Sequence, residues 1–133
     1  MKFNGLVPEL SVEDIEKSKE FYIDILGFKL EYERIEDKFA FISFEEAQIM
    51  IEEINEYWNT ATLEYPFGIG INFQINVSSV DGIISSLNKN NVEVFRDVKI
   101  NTYEGNGEAY VEKEILVQDP DGYLLRFSQI INV

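Results

Sequence analysis

Residues 71–77 alternate strictly. Ile71, Phe73, Ile75 and Val77 fall on one side and Asn72, Gln74 and Asn76 on the other, the period of a strand with one buried face. The same alternation runs through 6–12, where Leu6, Pro8, Leu10 and Val12 oppose Val7, Glu9 and Ser11. In 123–128, Tyr123, Leu125 and Phe127 oppose Leu124, Arg126 and Ser128. Between such strands the period changes. Over 14–26, Ile15, Ser18, Phe21, Tyr22, Ile25 and Leu26 share a face at helical spacing, with Glu16, Lys17, Glu20 and Asp24 opposite. Gly27 stands where a left-handed cap ends a helix. Val80, Ile83, Ile84 and Leu87 make a second helical stripe, which Ser78 is placed to cap, with Asp81 completing a weak capping box.

These signals predict strands over 5–12, 28–34, 38–44 and 47–53, a connection over 55–67, then strands over 69–77, 92–99, 109–118 and 123–130. Thr102 to Gly107 reads as a glycine-bearing loop, and Asp119-Pro120-Asp121-Gly122 as a tight turn. Leu10-Ser11-Val12-Glu13-Asp14-Ile15 is echoed half a chain later by Ile75-Asn76-Val77-Ser78-Ser79-Val80. The economical reading is one domain over 1–133, built from two similar strand–helix–strands modules, about 5–54 and 68–131. The apolar strand faces are expected to pack on the two helices. The opposite faces are unusually polar, and are either simply wet or the wall of a pocket.

Composition narrows the chemistry. The 133 residues fit one core, and 45% hydrophobic with 27% charged residues is globular rather than disordered. No apolar run is long enough to span a membrane, and MKFNGLVPEL lacks a signal-peptide core, so a cytoplasmic protein is expected. Cysteine is absent, which excludes disulfides and a thiolate nucleophile. Histidine is absent too, so Ser-His-Asp and Cys-His catalysis are excluded, and a metal site would need oxygen ligands alone. Eleven basic against 25 acidic residues give a net charge of −14. That surface repels nucleic acid and would steer a basic ligand inward.

Several stretches carry a resemblance. They are Val7-Pro-Glu-Leu-Ser-Val-Glu-Asp-Ile-Glu-Lys-Ser-Lys-Glu-Phe-Tyr22 with Leu26-Gly27-Phe28, Ala47-Gln-Ile-Met-Ile-Glu-Glu53, Pro66-Phe-Gly-Ile-Gly-Ile-Asn-Phe-Gln74, and Asp119-Pro-Asp-Gly-Tyr-Leu-Leu-Arg-Phe127. In this order and spacing the chain resembles the glyoxalase/bleomycin-resistance/dioxygenase superfamily, the vicinal oxygen chelate proteins. The resemblance implies an α+β fold of two βαβββ modules forming a cup-shaped mixed sheet with helices outside. It also implies a homodimer with ligands in the cup. The superfamily's metal enzymes place ligands at positions that match Val7, Asn72, Arg126 and Glu52 (or Glu53 in a shifted register). Valine cannot ligate, asparagine is a weak neutral donor and a guanidinium opposes a dication, so no metal or other cofactor is expected.

What remains is similar to the bleomycin-resistance branch, whose members bind a drug without changing it. The expected ligand is a small cationic aromatic molecule, with a bleomycin-type drug as the candidate, in a cleft at the dimer interface. Candidate ligand-binding residues are Glu9, Glu52, Trp58, Asn72, Gln74, Tyr103, Glu114 and Arg126. Glu9, Glu52 and Glu114 should face the cup and hold a cation, or pair with Arg126. Trp58 and Tyr57 either stack on a planar ligand or cover core edges. Tyr103 is either a lid residue or an exposed loop tyrosine, while Asn72 and Gln74 would orient a ligand. The alternative is an enzyme of the same superfamily with atypical metal ligands or a carboxylate base such as Glu9.

Overall fold

The computed structural model describes residues 1–132. The first module contains β1 (Glu9–Val12), α1 (Ile15–Lys19) running on into a π-helical turn (Glu20–Ile25), β2 (Lys29–Arg34), β3 (Phe39–Phe44) and β4 (Ala47–Glu53). The second contains β5 (Asn72–Asn76), α2 (Asp81–Lys89), β6 (Arg96–Gly105), β7 (Glu108–Gln118) and β8 (Leu124–Ile130). The strand orders are β1-β4-β3-β2 and β5-β8-β7-β6. In each sheet the first and last strands of the module pair in parallel, and the remaining pairs are antiparallel. The fold is thus α+β, two βαβββ modules with mixed sheets, as expected.

Local chemistry explains the first helix. Asp14 caps it, its carboxylate accepting from the N–H groups of Glu16 and Lys17 at 3.0 and 3.2 Å. At the far end the Leu26 N–H reaches Phe21 O at 2.9 Å, a five-residue step that widens the last turn. Gly27, at φ 93°, then turns the chain into β2.

One face of each sheet enters a single core. Leu10, Val12, Ala40, Ile42, Ile49 and Ile51 meet Ile75, Val77, Ile115, Val117, Leu125 and Phe127, together with Tyr22, Leu26, Ile83 and Leu87 from the helices. The helix-bearing faces look toward each other. Phe44 of β3 and Phe127 of β8 lie with ring centroids 6.3 Å apart. Sheets joined edge to edge would separate those strands by several spacings of about 4.8 Å. The modules are therefore back to back, and their two open faces point away from one another. Each module's second hairpin turn also holds the start of the other's helix. The Glu13 N–H donates to Asp121 Oδ1 at 3.0 Å, and the Ser78 N–H donates to Glu45 at 2.9 Å.

That last contact corrects one expectation. Ser78 is drawn to Glu45, α2 begins after Val80 without a side-chain cap, and Asp81 pairs with Lys113 instead of closing a capping box. The strands expected over 5–12 and 69–77 are shorter, because Leu6, Ile69 and Ile71 have no partner strand. The strand expected over 92–99 starts at Arg96, since the Val92 N–H instead bonds Leu87 O at the end of α2. It continues through the segment read as the loop Thr102 to Gly107. Only Asn106 and Gly107 turn, with φ 53° and 80°, the two left-handed residues of a tight hairpin. Among the described residues no helix is long and apolar enough to cross a membrane.

Candidate functional site

Strand register sorts the candidates onto two surfaces. The open face of the first sheet carries Glu9 from β1, Met50 and Glu52 from β4, Phe39 and Phe41 from β3, and Tyr32 and Arg34 from β2. Its centre is aromatic. Tyr32 stacks on Phe41 at 5.3 Å, and the Arg34 guanidinium lies 4.0 Å above the Phe39 ring. Phe3 meets Phe41 edge-on at 5.4 Å, delivered by a chain start that is tied to β4. There the Asn4 N–H donates to Gln48 Oε1, and Gln48 Nε2 donates to Lys2 O, both at 2.7 Å.

The acidic end of this face is Glu9 with Glu52. Burial raises the Glu9 pKa, the Glu52 charge raises it further, and Arg34 works against both. Glu52 Oε1 accepts from Trp58 Nε1 at 3.1 Å and from Asn55 Nδ2 at 3.0 Å. Trp58 is 57% exposed and packs edge to face with exposed Tyr57 at 4.6 Å, so neither ring covers the core. Glu53, the shifted-register alternative, accepts from the Ile15 N–H and Lys38 and lies off this face.

The open face of the second sheet gathers Asn72, Gln74, Glu114, Arg126 and Tyr103. Arg126 sits at the centre. Its Nε is 3.3 Å from Glu114 Oε2, Nη1 donates to Asn72 Oδ1 at 3.3 Å, and Nη2 donates to Gln74 Oε1. It thus pairs with Glu114 and not with Glu52. A cleft of about 470 Å³ opens here, bounded by Asn72, Arg96, Lys99, Tyr103, Glu114 and Arg126 over apolar Phe95, Leu116 and Leu124.

Beneath it lies Glu112, which sequence reasoning missed although it shares the parity of Glu114 two residues on. Its carboxylate is buried and accepts from Ser128 Oγ, from Tyr103 OH at 2.8 Å and from Asn101 Nδ2 at 3.3 Å. Burial works to raise its pKa, but these donors outweigh it and the carboxyl is lowered. Glu114 moves the other way, raised by burial and then by the Glu112 charge, against Arg126. Tyr103 is therefore a strand residue with a fixed hydroxyl, neither a lid nor a loop tyrosine, because the hairpin turns beyond it.

The superfamily metal positions do not suit a dication. Val7 offers no donor, Glu52 is engaged by Asn55 and Trp58, and Asn72 is bonded to the Arg126 guanidinium, which carries its own positive charge. Among the described residues no group of three or more His, Cys, Asp or Glu is placed to hold a metal ion.

A sequence profile of the Glyoxalase/Bleomycin resistance protein/Dioxygenase superfamily matches residues 5–127. No functionally curated protein matches the chain. Among solved structures, a superfamily member from Vibrio splendidus 12B01 is 31% identical over 92% of this chain and 95% of its own, with a TM-score of 0.44. A glyoxalase/bleomycin resistance protein/dioxygenase from Alicyclobacillus acidocaldarius shares the fold with a TM-score of 0.67 and 18% identity, covering 97% of this chain and 92% of its own. TioX from Micromonospora sp. ML1 does so with a TM-score of 0.71 and 16% identity, covering 97% and 100%. With nearly the whole chain inside the profile and both modules in place, this protein belongs to the glyoxalase/bleomycin resistance protein/dioxygenase superfamily.

Proposed function

We propose that the protein is a metal-free binding protein of the bleomycin-resistance type, which sequesters a cationic aromatic ligand in cups shared between two copies in the cytoplasm. The observation that carries this reading is the crowded pair Glu9 and Glu52 on the first open face, beside a tethered and exposed Trp58 and over the buried rings of Phe39 and Phe41. A cation placed there would relieve the repulsion between the carboxylates and meet the indole face.

The dimer is part of the same proposal. Each open face is only half a cup, and strands β1 and β5 lie at sheet edges. Leu6 and Ile69 beside those edges are 82% and 81% exposed, and Ile71 is 56% exposed. Unpaired edges and apolar side chains of this kind are normally covered. A second copy would bring its second-module face over the first-module face of its partner.

Thermal-shift and calorimetric titration with bleomycin, with and without manganese, tests the reading. Bleomycin is expected to raise the melting temperature without metal. Glu9→Gln and Trp58→Ala should each weaken binding by about tenfold, on the order of 1–2 kcal/mol. A protein that ignores bleomycin, or that needs the metal, overturns it.

The carboxyl pair in the second cleft favours a second reading, an enzyme of the superfamily acting through a carboxylate. The geometric support is that Glu114 lines the cleft two residues from buried Glu112, whose charge raises the Glu114 pKa.

A further inference from the structure

We propose that the open face of the second module binds an organic carboxylate, anchored by Arg126 and flanked by Lys99 and Arg96. This rests on the reading of the open faces as ligand surfaces, but gives the second face the opposite preference from the first.

Charge is distributed against the composition. The chain has only 11 basic residues against 25 acidic, yet this one cleft collects three cations against Asp97 and Glu114. Burial and the neighbouring Glu112 raise the Glu114 pKa, and Arg126, paired with it, works against both. Low-dielectric walls concentrate the field of such a cluster.

The donors are also sorted. Tyr103 OH and one N–H of Asn101 Nδ2 are spent on buried Glu112, which commits both side chains to that carboxylate. Of the five N–H donors of the Arg126 guanidinium, one on Nη1 and one on Nη2 go to Asn72 and Gln74, while Nε lies 3.3 Å from Glu114 Oε2 in an ion pair without a hydrogen bond. Those contacts fix its plane and leave two donors for a ligand, the number a carboxylate accepts. Lys99 lies opposite Glu114 in the β6–β7 register and lines the same cleft.

The rest of the cleft selects the body of the ligand. Leu116, Leu124 and the half-exposed Phe95 give an apolar floor and wall, within a volume of about 470 Å³. A bare inorganic anion would leave that surface unused, whereas a planar acid would cover it.

Benzoate, benzamide and benzamidine share one flat body and differ in charge, so they separate the two faces. Amide chemical shifts of the labelled full-length protein locate each probe and give its affinity. Benzoate is expected to shift β6 and β8 and to bind at least tenfold tighter than benzamide, while benzamidine shifts β1 and β4. Lys99→Glu, at an exposed position, should weaken benzoate by tenfold or more and leave benzamidine within twofold. Glu52→Gln should do the reverse. Benzoate binding that survives Lys99→Glu, benzoate shifts confined to the first module, or inorganic phosphate competing equally well would each overturn the carboxylate site. Loss of benzamidine binding alone would sink the first-face reading and leave this one standing.

Discussion

Replacing Tyr22 with phenylalanine should loosen the joint between the modules in a pH-dependent way. The Tyr22 hydroxyl donates to Asp119 Oδ2 at 2.6 Å, while Asp119 Oδ1 accepts from the N–H groups of Asp121 and Tyr123, both at 2.9 Å. Tyr22 lies in the first module and Asp119 in the second. Burial raises the Asp119 pKa from 3.8 to about 6, against the pull of Tyr22 and the two backbone donors, with the Asp121 charge adding to the rise. A raised carboxyl takes up its proton in the folded state first. Stability from this group is therefore fully present below the unfolded pKa and falls as pH rises through 6, by on the order of 3 kcal/mol. Above pH 6 the Tyr22 bond serves a charged acceptor and should contribute about 1.5–3 kcal/mol; at pH 5 it serves a neutral one, worth about 1 kcal/mol. Tyr22→Phe is thus expected to cost about 1.5–3 kcal/mol at pH 8 and about 1 kcal/mol at pH 5. Urea unfolding followed by far-ultraviolet circular dichroism at both values measures this. Tyr123, pushed up to about 12, does not titrate in that range, and the raised Asp121 is common to both proteins. Equal costs at the two pH values, or a larger one at pH 5, would refute the assignment of the buried charge to Asp119.

Light scattering at micromolar concentration should report a dimer, and Leu6→Glu with Ile71→Glu should give a folded monomer; a wild-type monomer would remove the shared cup. Gly122→Ala should destabilise by about 2 kcal/mol or more in urea unfolding. Gly122 has φ 96°, and an added Cβ would stand 2.5 Å from Pro66 Cβ and 2.7 Å from its Cα. An unchanged midpoint would mean that the chain there shifts at no cost.

The fold was largely legible because its two periods are clean. Alternation in 71–77 and 123–128 named the faces of β5 and β8, and the stripe from Ile15 to Leu26 named the first helix. Misreadings came where tertiary contacts overrode local signals. Ser78 has the chemistry of a cap, but Glu45, 33 positions earlier in the chain, takes its N–H. Gly105 and Gly107 suggested a loose loop, whereas β7 supplies a partner strand up to Glu108 and only Asn106-Gly107 needs left-handed backbone. How the modules meet was not legible, because alternation gives the face of a strand but not what that face will oppose.

The same limit explains the charge of the site. A net charge of −14 pointed to a cationic ligand everywhere, but net charge sums over a surface and a ligand meets only one face of it. Glu9 and Glu52 fall on one sheet and Arg126 on the other, and the back-to-back packing turns these faces apart, so a pairing of Arg126 with Glu52 is not formed within the chain. Lys99 lies opposite Glu114 in the β6–β7 register, a placement that a strand ending at residue 99 does not reveal. Extending the strand puts Lys99, Asn101 and Tyr103 in the row beside Glu114 and Glu112, and the second face gains its cation and its anchored donors together. If a second copy closes the cup, an acidic aromatic wall then meets a cationic one. A ligand spanning both would need a basic aromatic part and an acid group, and a molecule with only one of them would satisfy half the site.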